Sequence, residues 1–116
     1  AAAEERIERV FREAGLAVPA VREALERAGV DETKARTLLQ LMIKDGRLVR
    51  VTPELIFHRE AIARLRQELA CRKGQRFSVG EFKEWTGVSR KYAIPLLEFL
   101  DRERVTRREG DRRVVV

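Results

Sequence analysis

Apolar residues return at a helical period from the start of the chain. Ala3, Ile7, Val10, Phe11 and Ala14 share one stripe, which predicts a helix over residues 3 to 14 that Gly15 ends. The apolar segment Leu16 to Val18 reads as a short strand, and Pro19 after it suits a first helical position. Val21, Ala24, Leu25 and Ala28 make the face of a second helix, closed by Gly29. Asp31 is a good N-cap for a third helix carrying Leu38, Leu39, Leu41, Met42 and Ile43, with Gly46 just past its end. Arg47 to Val51 and Leu55 to His58 are strand-like runs around Thr52-Pro53-Glu54, a turn in which proline's fixed φ helps.

The same order then repeats. Ile62, Leu65 and Leu69 mark a helix from about Arg59 to Lys73 that Gly74 breaks, and Phe77 is a short strand. Ser78-Val79-Gly80-Glu81 has the spacing of a capping box, in which serine and glutamate each satisfy a free N–H at a helix start. Val79, Phe82, Trp85 and Thr86 face inward, and Gly87 ends this helix. Aligning Val18 with Val79, Gly29-Val30 with Gly87-Val88, and Leu38 to Met42 with Leu96 to Leu100 reveals a duplication of about sixty residues. The expected fold is α+β and mostly helical: tandem winged-helix domains over residues 1–58 and 59–116, each of three helices plus a small β-hairpin wing.

The stretch Ser89 to Val114 concentrates the chemistry. Ser89 is an N-cap residue, and Arg90 and Lys91 follow it directly, so two cations oppose the helix dipole. An external anion, most simply a phosphate, would supply the missing negative charge; a solvated basic turn is the bland alternative. Glu109-Gly110-Asp111-Arg112 suits a two-residue hairpin turn with Gly110 at the first central position. Pairing outward from the turn sets Glu109 opposite Arg112, Arg108 opposite Arg113, Arg107 opposite Val114 and Thr106 opposite Val115. In that register Arg112 is expected to pair with Glu109, while Arg108 and Arg113 are like charges face to face and are expected to share a phosphate.

Composition narrows the function. The chain has 116 residues, 44% hydrophobic and 38% charged, with a net charge of +6, which fits a folded, soluble protein of one or two small domains. Lys and Arg number ten against ten Asp and Glu in residues 1–58, and fifteen against nine in residues 59–116. The excess therefore lies in the second module, and the first is expected to serve packing or spacing. One cysteine, Cys71, and one histidine, His58, exclude an internal disulfide and a zinc set. Cys71 reads as inert packing and His58 as a surface or boundary residue. No apolar run approaches a membrane span, and the start lacks the basic residues of a signal peptide, so a cytoplasmic fragment with no membrane partner is expected. The absence of a GxxxxGK[ST] loop and of any paired nucleophile and base argues against catalysis.

The run from Phe77 to Val114 resembles the last winged-helix module of the bacterial selenocysteine-specific elongation factors of the SelB family. Gly87-Val88-Ser89-Arg90-Lys91-Tyr92-Ala93-Ile94-Pro95-Leu96-Leu97-Glu98 and the wing Thr106-Arg107-Arg108 carry the likeness, about a third of the chain. The first half resembles the preceding module more loosely. The resemblance implies a monomeric mRNA-binding fragment that recognises the selenocysteine insertion (SECIS) hairpin. Its last module would grip the loop, with the ribosome as a further contact. GTP, magnesium and charged tRNA would belong to an N-terminal part outside this chain, leaving no cofactor here. One departure is Arg104, where a glycine or small residue is expected to end the helix.

The residues alone leave RNA and DNA open, since winged helices also enter the DNA major groove. A DNA-binding tandem winged helix and a protein-interaction winged helix are the alternatives. The expected RNA-contacting set is Ser89, Arg90, Lys91, Tyr92, Ile94, Arg107, Arg108, Arg112 and Arg113. Within it Tyr92 shares the apolar helix face, which favours a core role. Ile94 lies opposite that face as an exposed apolar contact. Trp85 and Phe82 read as core, and Pro95 should kink its helix.

Overall fold

The computed structural model describes residues 2–116, in two compact units divided between Ile62 and Ala63. The first unit runs α1 (Ala2–Ala14), α2 (Val21–Ala28), α3 (Glu32–Lys44), β1 (Leu48–Thr52) and β2 (Leu55–His58). Helix α4 (Arg59–Ala70) carries the boundary, four residues later than the break expected after residue 58. Its first turn is tied to the first unit, with Arg12 3.5 Å from Glu60 and the Glu60 N–H on His58. The second unit continues with β3 (Arg76–Phe77), α5 (Val79–Thr86), α6 (Arg90–Arg102), β4 (Thr106–Glu109) and β5 (Arg112–Val115). This is the winged-helix fold, mostly helical, twice over.

Helix lengths make the duplication sharper than residue matching does. Helices α2 and α5 each span eight residues, α3 and α6 each thirteen, and both pairs start 58 positions apart. Val79 therefore corresponds to Val21, not to Val18. Val18 is buried, yet Leu16 to Val18 form no strand, so the first sheet has two strands, β1 and β2. The run is three residues long and Pro19 after it cannot donate to a ladder. Helix α2 begins only at Val21, with Ala20 as its N-cap, so Pro19 lies outside the helix.

In the second unit the strands pair in the order β3-β5-β4, all antiparallel. The hairpin register is the expected one: Thr106 opposite Val115, Arg107 opposite Val114, Arg108 opposite Arg113, Glu109 opposite Arg112. Gly110 has φ +66° while Asp111 keeps an ordinary φ, the requirement of a turn with glycine first. Helix α6 buries Ala93, Leu96, Leu97, Phe99 and Leu100, and each fully buried leucine contributes roughly 2 kcal/mol. The helix runs continuously through Pro95. Ser78 and Glu81 complete the capping box at the start of α5. Cys71 lies just past α4 and is exposed, so it is not a packing residue.

His58 is fully buried, contrary to the boundary position expected for it. Its Nδ1 accepts the backbone N–H of Glu60 at 3.1 Å, capping α4, so the proton sits on Nε2, which donates to Glu8 at 2.8 Å. That hydrogen bond, aided by Arg12 and Arg47 and opposed by burial, holds the Glu8 carboxyl below its ordinary 4.5. A carboxyl whose folded pKa is depressed stabilises fully above its unfolded value and loses that contribution as pH falls through the folded value. Glu8→Gln should therefore destabilise the chain at neutral pH and match wild type well below pH 4.5. Urea unfolding of both proteins across this range checks it; a gap that persists unchanged into acid would show that the Glu8 charge is not its source.

Candidate nucleic-acid interface

Side chains from the N-cap position close the starts of α3 and α5, but not that of α6. Asp31 accepts the Lys34 N–H at 3.3 Å and Ser78 accepts that of Glu81 at 3.2 Å. Ser89 occupies the N-cap of α6 in extended backbone, is exposed, and its hydroxyl makes no cap hydrogen bond. The first turn of α6 holds no acid. Among the described residues Arg90 pairs with no carboxylate, and Lys91 makes only a cation–π contact, its Nζ 5.2 Å from the ring centre of Tyr92. This helix start therefore offers a hydroxyl, free backbone N–H groups and two cations to solvent, an arrangement suited to a phosphate.

The wing divides its arginines differently from the expected pattern. Glu109 does not take Arg112; it lies 2.9 Å from Arg76 on β3 and 3.2 Å from Arg107. Arg107 first and Arg76 second hold its carboxyl below the ordinary 4.5. Arg112 is exposed and has no acid partner among the described residues. Arg108 is exposed and uses its Nε only to donate to the Gly110 carbonyl at 3.0 Å. Arg113, directly opposite, is 6% exposed, and its guanidinium meets Asp101 of α6 at 3.0 Å. Asp101 also accepts the Thr106 hydroxyl at 2.6 Å.

The like-charge clash between Arg108 and Arg113 is thus relieved inside the fold. Arg113 is spent on Asp101 and does not form one half of a fork for a shared phosphate. The signal for this lay in the repeat: Asp101 corresponds to Ile43, and the position of Arg113 in the ladder corresponds to Ile56, which sits opposite Arg50. Opposite charges replacing two apolar residues at matched sites point to a buried pair.

The aromatic groups are mostly committed as well. Phe77 and Phe82 are buried. The Trp85 ring has Phe77 at 5.1 Å and the Arg72 guanidinium at 3.9 Å, so these neighbours occupy it rather than leaving it as a bare stacking platform. Tyr92 is half-buried, and so is Ile94, which is not the exposed apolar contact expected. Of the nine candidate residues the structure leaves Ser89, Arg90, Lys91, Arg107, Arg108 and Arg112 on the surface, Tyr92 and Ile94 partly so, and Arg113 inside. The first unit disposes of its arginines differently: Arg12, Arg22, Arg27 and Arg36 each pair with a glutamate four positions away, and Arg47 meets Glu4 and Asp45. No group of three or more His, Cys, Asp or Glu side chains is placed to hold a metal among the described residues. Among the same residues no helix is long and apolar enough to cross a membrane.

Known proteins with this pattern are consistent with one another. Residues 69–115 match the family model of the winged helix of elongation factor SelB. The selenocysteine-specific elongation factor of Desulfomicrobium baculatum is 31% identical over 111 residues, which cover 94% of this chain and 18% of that protein. A crystal structure of a bacterial selenocysteine-specific elongation factor, EF-Sec, superimposes with a TM-score of 0.80 at 29% identity, over 98% of this chain and 18% of that one. The mRNA-binding domain of E. coli SelB, solved in complex with SECIS RNA, has the same fold, with a TM-score of 0.71 at 22% identity over 96% of this chain and 97% of that one. The chain thus spans about a fifth of the full-length factors it matches. Its residues 69–115 carry a winged helix of the SelB type, and nearly its whole length is similar to a stretch of selenocysteine-specific elongation factors.

Proposed function

We propose that this chain is the mRNA-binding part of a selenocysteine-specific elongation factor and recognises a SECIS hairpin through its second unit. The observation that carries the reading is the set of cations without acid partners at the start of α6 and on the wing: Arg90, Lys91, Arg108 and Arg112. Pairing surface arginines with carboxylates would be the ordinary outcome in a protein this rich in acids. Here Glu109 and Asp101 are drawn to Arg76, Arg107 and Arg113, and the four cations named above are exposed without an acid among the described residues. The likeness to a domain solved with SECIS RNA makes RNA the favoured polyanion. Ser89 joins the set as a hydrogen-bonding hydroxyl, and Tyr92 and Ile94 supply apolar edges for a base or sugar.

In this reading the chain is a non-enzymatic, cytoplasmic, monomeric binding module that needs no cofactor of its own; GTP and magnesium act elsewhere in the factor. The first unit, with its locally paired charges, serves packing and spacing or faces the ribosome. A gel shift comparing a SECIS hairpin, its stem without the loop, and duplex DNA tests the proposal. The hairpin should be retained best, with an affinity that falls steeply as salt rises. Retention of duplex DNA alone would replace RNA with DNA as the partner. No retention at low salt would favour a protein-binding winged helix.

A further inference from the structure

The ends of α3 and α6 are the same motif with different residues. After α3, the N–H of Gly46 donates to Ile43 and that of Arg47 to Met42, at 3.2 and 3.0 Å. After α6, Arg104 donates to Asp101 and Val105 to Leu100, at 3.1 and 3.0 Å. Both are Schellman closures whose key residue must take a left-handed backbone. Gly46 does so at φ +85°, as glycine readily can. Arg104, 58 positions later, does so at φ +59°, and among the described residues it is the one non-glycine residue with positive φ. A side chain with a Cβ is strained there, so the fold itself is better served by glycine, as its own first copy demonstrates.

What the arginine gains is not inside the protein. Arg104 is exposed and makes no ion pair or side-chain hydrogen bond among the described residues. It lines a surface groove of about 390 Å³ together with Asp101, Thr106, Arg107, Arg108 and Val116. The charge of Asp101 is already matched by Arg113 and that of Glu109 by Arg76 and Arg107, so among the described residues Arg104 is the lining arginine without a partner, next to Arg108, whose Nε serves the Gly110 carbonyl. Val116, 41% exposed, adds an apolar wall.

Resting on the RNA reading above, we infer that this groove is a phosphodiester site for the bound RNA strand and that Arg104 is its central ligand. The strained backbone is retained because it aims that guanidinium into the groove. The Arg104 fork suits a phosphate with its two free oxygens, and the apolar wall suits the adjoining ribose. The site extends the interface from the start of α6 and the wing tip to the closing end of the same helix.

Substitutions in the full chain separate strain from binding. Arg104→Gly should raise the thermal unfolding midpoint yet lower affinity for the SECIS hairpin about tenfold, with a salt slope smaller by roughly 0.7 to 0.9. Arg104→Asn, which tolerates the left-handed region without the charge, should weaken binding to the same degree. Gly46→Arg is the control: a Cβ there meets nothing within 4 Å, so only φ strain is added, and stability should fall with RNA affinity unchanged. If wild type binds the hairpin and Arg104→Gly binds it equally at every salt concentration, the inference is overturned while the RNA reading stands. A wild type that binds no hairpin ends both.

Discussion

Arg113→Ala should destabilise the second unit by about 3 kcal/mol, because it strips the partner from a carboxylate held between Arg113 and Thr106. The figure sits at the low end of the range for a broken buried pair because Asp101 keeps 24% side-chain exposure and can be partly rehydrated. In a unit this small the loss would lower the melting temperature by roughly 10 to 20 °C. Replacing the whole cluster, Asp101→Ile with Arg113→Ile and Thr106→Leu, should recover most of it, since the first unit has Ile43, Ile56 and Leu48 at the matching positions. Thermal and urea unfolding of the two variants measures this directly. Arg108→Ala, whose side chain reaches only the Gly110 carbonyl, should leave stability nearly unchanged. Equal stability of Arg113→Ala and wild type would mean that the pair contributes nothing to holding the wing against α6.

These pairings mark where the sequence could and could not be read. Helix starts and ends were legible because local chemistry sets them: Asp31 and Ser78 cap, and Gly29 and Gly87 take left-handed φ at the ends of α2 and α5. The wing register was legible because one glycine fixes the turn and the turn fixes every pair beyond it. Partner choice was not. Glu109 sits opposite Arg112, yet its carboxylate turns to Arg76, 33 positions earlier on a third strand, which hairpin geometry alone does not bring near. His58 is buried through Glu8, 50 positions away, and a lone polar residue carries no periodicity that announces such a partner. Arg104 was visible as an oddity, but its meaning came only with the matching Gly46 closure and the groove beside it.

The largest drop in RNA affinity without damage to folding is expected from Arg90→Ala combined with Lys91→Ala. The two effects should have opposite signs, and that makes the test sharp. In the free protein both cations sit against the positive end of the α6 dipole with no acid in the first turn, so removing them should stabilise the helix by a few tenths to about 1 kcal/mol. In the complex each charge-assisted contact contributes roughly 1.5 to 3 kcal/mol, so the double variant should bind a SECIS hairpin at least about a hundredfold more weakly. The logarithmic salt slope should shrink by about 0.7 for each single-strand phosphate that the variant no longer neutralises. On the wing the ranking follows from partners already present. Arg112, without an acid partner, should matter most for binding; Arg108 follows, since it must share its Nε with Gly110; Arg107 comes last, since Glu109 already offsets its charge. Titrations at several salt concentrations, each paired with an unfolding curve, read both quantities on the same protein. Should Arg90→Ala with Lys91→Ala gain stability and keep full affinity and slope, the start of α6 is a solvated basic turn, and RNA binding, where it occurs, belongs to the wing and the groove beside it.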